Sequence, residues 1–239
     1  GHVEQRFADP PVSLHLVRSN FGDAEAVLDE LGVDGVDLLL ADLGFASSQL
    51  ADPSRGLSFN QDGPLDMRLD PSTETTAADL LARLGERELA DLIFRHGEER
   101  FSRRTARQIV DRRRDAPIRT TRQLADLCAA AYGSRARRQR IDPATRTFQA
   151  LRIAVNDELG RLSALLEKLP KLMRPAGRVV IISFHSLEDR LAKRSFRSME
   201  QQEQGERLTK KPITADANER EANPRSRSAK LRACRFASA

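Results

Sequence analysis

Few residues in this chain are placed to do chemistry. One apolar run ends on an acid, Asp42, with an amide shortly after it at Gln49. A second apolar run ends on Ser183-Phe184-His185-Ser186-Leu187-Glu188-Asp189. A carboxylate at a strand end can accept hydrogen bonds from an amine of a cofactor or substrate, or it can cap the next helix. His185 could serve as a general base, an RNA contact or a packed core imidazole. Glu188 and Asp189 suit the first turn of a helix, where negative charge is favoured. The third feature is a charge block. Residues 95–146 carry 15 Arg and no Lys against 6 acids, a net of +9, whereas residues 1–94 carry 6 basic and 18 acidic side chains, a net of −12. Such an arginine block is the electrostatic footprint of a partner with a phosphate backbone, and guanidinium suits bidentate phosphate contact and stacking on bases. A solvated, salt-bridged helical surface is the plainer alternative.

These residues need elements to position them. Alternation over residues 12–17 predicts a half-buried strand, and residues 24–31 a short helix. The run Val36-Asp37-Leu38-Leu39-Leu40-Ala41 predicts a parallel strand covered on both faces. Strand, helix and strand with short links imply a right-handed crossover, and ligands of such sheets bind beyond the carboxyl ends of the strands. Residues 51–70, with Pro53, Gly56, Gly63 and Pro64, read as a long structured loop in which Gly63 to Arg68 forms a tight turn with a charged pair. Helical patterns follow over 77–84, 86–96, 102–114 and 121–131, with Thr121 as an N-cap. The stripe Leu151, Val155, Leu159, Leu162, Leu166, Leu169 predicts one long helix, preceded by a basic helix start, 143–152, with Phe148 as an exposed aromatic. Residues 178–183 read as a buried strand, 197–227 as a mobile loop facing the substrate, and 230–236 as a closing strand.

Composition narrows the function classes. The 239 residues are 39% hydrophobic with a formal charge of +5, which suits a folded globular protein of one large or two modest domains. The longest aliphatic run, Val179-Val180-Ile181-Ile182, is far short of a membrane span, so no membrane association is expected. Two distant cysteines and four histidines argue against a metal site or a disulfide framework, and a cytoplasmic location is the default. No glycine fingerprint of a nicotinamide dehydrogenase is present.

Several blocks together carry a family resemblance. Asp42-Leu43-Gly44 through Gln49, Asp52-Pro53, Arg55-Gly56-Leu57-Ser58-Phe59 and Asp62-Gly63-Pro64-Leu65-Asp66-Met67-Arg68 resemble the signature of the bacterial 16S rRNA cytosine-N4 methyltransferases, the RsmH or MraW family. Gly97-Glu98-Glu99-Arg100-Phe101, Pro143 to Arg152, Ile182 to Arg190 and Asn223-Pro224-Arg225-Ser226-Arg227-Ser228 match further blocks in the same order, so the resemblance covers nearly the whole chain.

The resemblance implies an α/β fold: a Rossmann-like class I methyltransferase domain dependent on S-adenosylmethionine, with an inserted all-helical domain. Residues 1–52 and 148–239 would form the catalytic domain and 53–147 the substrate-recognition insertion. The implied substrate is a decoding-centre cytosine of 16S rRNA in the small ribosomal subunit. Phe21, Asp42 and Gln49 match cofactor contacts, with Asp42 also the candidate catalytic group near the amine. Arg146, Arg152, His185, Arg225 and Arg227 are the candidate RNA contacts. The family's Gly-Gly-His loop and an acidic residue on the next strand lie upstream of the matching region. The chain starts at Gly1 with its first methionine at Met67, so the expectation is that part of the cofactor site is missing. A catalytically incomplete RNA-binding remnant and a methyltransferase for another nucleic acid are the alternatives. DNA is disfavoured because Asp42-Leu43-Gly44-Phe45 stands where DNA amino-methyltransferases carry Asn/Asp-Pro-Pro-aromatic. Asp142 departs from the His common in the family. The oligomeric state, a dimer included, stays open.

Overall fold

Residues 12–238 are described by the computed structural model. In chain order they form α1 (Ala24–Glu30), β1 (Val36–Asp42), α2 (Ser47–Ala51), α3 (Ala77–Arg83), α4 (Glu86–Gly97), α5 (Ser102–Asp115), α6 (Thr121–Tyr132) and α7 (Thr145–Asn156). There follow α8 (Glu158–Leu172), β2 (Met173–Ser183), α9 (Ser186–Gln201), β3 (Gly205–Arg207), β4 (Ile213–Thr214), α10 (Ala217–Ala222) and β5 (Lys230–Phe236). Two compact units result: one takes in the chain up to Leu43 and from Gly160 on, the other is Gly44–Leu159. Among the described residues no helix is long and apolar enough to cross a membrane.

The first unit is an α/β layer of the Rossmann-like kind. Its mixed sheet runs β1-β2-β5-β3, with β4 also on β5; β1 and β2 are parallel and the other pairings antiparallel. The ladder puts Leu39 beside Val179 and Ala41 beside Ile181, so these four side chains share one face. Leu162, Leu166 and Leu169 of α8 and Ala192, Phe196 and Met199 of α9 close over that face as one core. The opposite face of β1 is open, with Leu38 63% and Leu40 61% exposed, so β1 is not the doubly covered strand its apolar run suggests. Residues 12–17 form no strand either. Alternation is only half of what a strand needs, and these side chains are exposed with no ladder partner among the described residues.

The expected mobile loop over 197–227 is also ordered. α9 continues to Gln201, β3 and β4 pair with β5, and Asp216 caps α10 by accepting from the Glu219 N–H at 2.8 Å. The strands β3 and β4 are too short for a hydrophobic period to register and exist because β5 supplies their backbone partners.

In the second unit, α3 to α7 pack around Leu81, Leu89, Ile93, Ile109, Leu124, Cys128 and Leu151. The expected helices are present, but the cap of α6 is Thr120, whose hydroxyl accepts from the Gln123 N–H while Gln123 reaches back to the Thr120 N–H. The long helix expected around residues 151–169 is two helices. Asp157 sits between them with φ of 49°, and its N–H closes on the Ile153 carbonyl. Tertiary bonds hold the break: Asn156 donates to the Met67 carbonyl at 2.8 Å and accepts from the Leu69 N–H at 2.7 Å. Met67 is itself buried at φ 65°, a conformation a non-glycine residue keeps only when its surroundings impose it. Gly56 and Gly63 permit the loop: a Cβ on either would strike a carbonyl oxygen, that of Pro64 or Pro53.

Two outcomes follow. Asn156→Ala leaves one buried-side N–H and one carbonyl unmatched and lowers stability by about 2 kcal/mol in urea titration. The second concerns Glu188, whose carboxylate accepts from the Phe184 and His185 N–H groups at the start of α9. Burial alone would push its pKa up, but His185 and those two N–H bonds outweigh it, and the net direction is downward. A depressed folded-state value means stability is present above the ordinary glutamate value of 4.5 and is lost as pH falls through the folded one. Chemical denaturation of Glu188→Gln at several pH values tests this: the variant is less stable at pH 7, and the gap narrows below pH 4.5.

Candidate active site

In the first unit two candidates, Asp42 and His185, stand at and just past the carboxyl ends of neighbouring parallel strands. Asp42 pairs with Ile182, and the Leu43 N–H donates to the Ile182 carbonyl at 3.0 Å, so Asp42 and Ser183 leave the parallel ladder on the same side. Asp42 is exposed, and no hydrogen bond or ion pair holds its carboxylate among the described residues. Helix capping does not occupy it, because the next helix, α2, is capped at Ala46.

His185 has a different setting. It is the N-cap of α9, its side chain is 8% exposed, and its Nδ1 lies 3.4 Å from the Glu188 N–H. Its Nε2 is buried 3.3 Å from the Glu188 carboxylate without forming a hydrogen bond. The geometry is that of a packed capping imidazole. Beside it Asp189 accepts from Arg232 at 2.7 Å and pairs with Lys230 at 3.5 Å, so the remaining charges of this edge are compensated.

Phe21 opens a 3-10 turn, Phe21–Asp23, whose start is held by the Asn20 side chain accepting from the Gly22 N–H at 3.0 Å. Lys168 of α8 donates to the Gly22 carbonyl at 3.2 Å, leaving the Phe21 ring 39% exposed on a fixed turn. Arg225 and Arg227 are exposed on the 3-10 turn Pro224–Ser228, on either side of buried Ser226. The Ser226 hydroxyl donates to the Asn223 carbonyl at 2.8 Å and fixes that turn.

In the second unit the candidates are more tightly committed. Gln49 on α2 accepts from the Ala46 N–H through Oε1 at 2.9 Å, which leaves its amide N–H groups as donors. Arg146 donates to the Glu98 carbonyl at 3.0 Å. Arg152 forks onto Glu158 at 2.7 and 2.9 Å and lies 4.7 Å over the Phe45 ring. Phe148, expected to be exposed, is buried and meets Phe59 edge-on at 5.0 Å; the stripe that places Arg146 outward turns Phe148 inward. Asp142 accepts from the Ala144 N–H at 2.8 Å, a local turn bond. The tight turn and charged pair expected at Gly63 to Arg68 are present. Arg68 forks onto Asp66 at 2.8 Å, beside a cavity of ≈180 Å³ also lined by Asp52, Ser54, Arg55 and Pro71. Two guanidiniums and two carboxylates there largely cancel.

Sequence reasoning missed Glu99. It is fully buried, its Oε1 accepts from the Phe101 N–H at 2.7 Å, and its Oε2 accepts from the Tyr132 hydroxyl at 2.7 Å. Burial and this carboxylate push the Tyr132 phenol well above its ordinary value. An acid in an arginine-rich stretch looks like an ordinary surface charge, and only the fold removes it from water.

Comparisons with known proteins agree with this architecture. Residues 2–237 match the model of the MraW methylase family. The chain is 54% identical over 219 residues to the ribosomal RNA small subunit methyltransferase H of Sorangium cellulosum, covering 92% of this chain and 68% of that relative. The proteins of the same name from Acidobacterium capsulatum and Geotalea daltonii are 53% and 48% identical; the matches cover 94% and 91% of this chain and 72% and 75% of theirs. A match of that extent settles kinship: the chain belongs to the MraW methylase family.

Proposed function

We propose that the protein methylates the exocyclic N4 amine of a cytosine in the decoding centre of 16S rRNA, with S-adenosylmethionine as donor. The observation that carries the reading is Asp42, an unpaired carboxylate at the carboxyl end of a parallel strand in a chain whose relatives are named small-subunit rRNA methyltransferases. The residues suit the cofactor chemically: an open carboxylate can accept from an amine or hydroxyl, and an exposed ring such as Phe21 can stack on a base. Phe21, Asp42 and Gln49 are the residues assigned to it.

S-adenosylmethionine, when bound, supplies an electrophilic methyl group on a sulfonium. The chain's own work is alignment. A cytosine amine is a poor nucleophile because its lone pair is delocalised into the ring. Asp42 accepts a hydrogen bond from that amine, returns electron density to nitrogen and fixes its direction for an in-line displacement. The base must leave its stack to reach a strand-edge site, at a cost of a few kcal/mol. Exposed arginines of the basic block, residues 95–146, with Arg225 and Arg227, hold the RNA backbone, in a cytoplasmic setting. Arg146 and Arg152 contribute through the carbonyl and carboxylate they hold in place.

Transfer of labelled methyl groups to small ribosomal subunits and to free 16S rRNA, followed by nucleoside analysis, tests the reading. N4-methylcytidine is expected. Label on another base, or on none while RNA still binds, refutes it. Asp42→Ala is expected to cut the rate about 100-fold with an unchanged melting temperature.

A further inference from the structure

Some arginines of the basic block are already employed inside the second unit. Arg107 pairs with Glu86 at 3.5 Å and Arg114 with Asp111 at 3.2 Å. Arg112 donates to the Ala116 carbonyl, and Arg113 to the carbonyls of Leu81 and Leu84. These groups secure helix ends, and their charge is partly spent.

The start of α5 is arranged differently. Two guanidiniums converge on one ring, Arg104 at 5.7 Å and Arg135 at 6.0 Å from the Phe101 centroid. Both side chains are exposed, and neither meets a carboxylate within ion-pair distance among the described residues. Glu99, two residues before Phe101, is buried and accepts from the Phe101 N–H and the Tyr132 hydroxyl. Tyr132 in turn packs against the Phe101 ring with centroids 4.5 Å apart. Glu99 therefore holds the ring from both ends, through its backbone and through its neighbour. A fixed ring thus gathers two exposed guanidiniums that have no ion-pair partner among the described residues. The ring attracts each guanidinium, and the exposed pair keeps its positive charge available to an anion.

We propose that Arg104 and Arg135, both gathered on the Phe101 ring, are the point where the second unit grips the phosphate backbone of its RNA, with Glu99 and Tyr132 as positioning residues. The inference rests on the rRNA-methylating reading and assigns part of its substrate contact to two named side chains. A phosphate contact releases counterions, so each arginine leaves a mark on the salt dependence of binding.

The test is a set of fluorescence titrations of a 16S rRNA fragment with the whole chain at several salt concentrations. Arg104→Gln with Arg135→Gln should weaken binding roughly tenfold and flatten the log–log salt slope by about 1.4. Arg83→Gln with Arg87→Gln removes the same charge from α3 and α4 of the same unit and should change the slope far less. Phe101→Leu, which keeps both arginines but frees them, should weaken binding with a melting curve that still shows a folded protein. Equal effects of the two charge-matched pairs overturn the proposal and leave the rRNA reading standing. No RNA binding by the parent chain overturns both. Binding of polyglutamate with the same dependence on Arg104 and Arg135 assigns the cluster to an acidic protein instead.

Discussion

Everything at the candidate site depends on one ladder, the parallel pairing of β1 with β2. Parallel neighbours cannot be joined by a tight turn and need a crossover connection. Here that connection leaves after Asp42 and returns at Met173, and the whole of Gly44–Leu159 lies within it. The same pairing makes both strands end on one side, which brings Asp42 and the Ser183-Phe184-His185 turn to a common edge. Antiparallel pairing of these strands would have put the two ends on opposite sides of the sheet.

Burial then sorts the charged groups into working and supporting ones. Glu99 and Glu188 are both out of water; Glu99 accepts from one backbone N–H and the Tyr132 hydroxyl, and Glu188 from two backbone N–H groups. Unmet, such a carboxylate would be strongly destabilising; met, it rigidifies the turn that it closes. Asp42 is the opposite case, exposed and uncommitted at the sheet edge. The arginines divide in the same way. Arg113 and Arg152 are bound to carbonyls or a carboxylate, whereas Arg104, Arg135, Arg225 and Arg227 face solvent. Net charge alone gives no hint of this division.

The order of signature blocks, the helices of the second unit and the strands ending at Asp42 and Ser183 were all legible in the sequence, because each is a local pattern of apolar spacing or turn chemistry. Errors came where pairing decides. Residues 12–17 alternate like a strand but have no partner, and β3 and β4 lack a recognisable pattern but have one in β5. Asp157 interrupts an apolar stripe that reads as continuous, since periodicity carries no record of the Asn156 bonds to Met67 and Leu69.

By itself, then, the sequence determined the family, the placement of an acid at a strand end and the concentration of arginine in one stretch. These are properties of residue identity and order. Only the tertiary structure decided which charges remain available. A carboxylate or guanidinium is spent or free according to the neighbours that distant parts of the chain bring to it, and burial raises the penalty for leaving it unmatched. Asp42 and the Arg104–Phe101–Arg135 cluster stayed free by that measure, while Glu99, His185 and Arg152 became part of the scaffold.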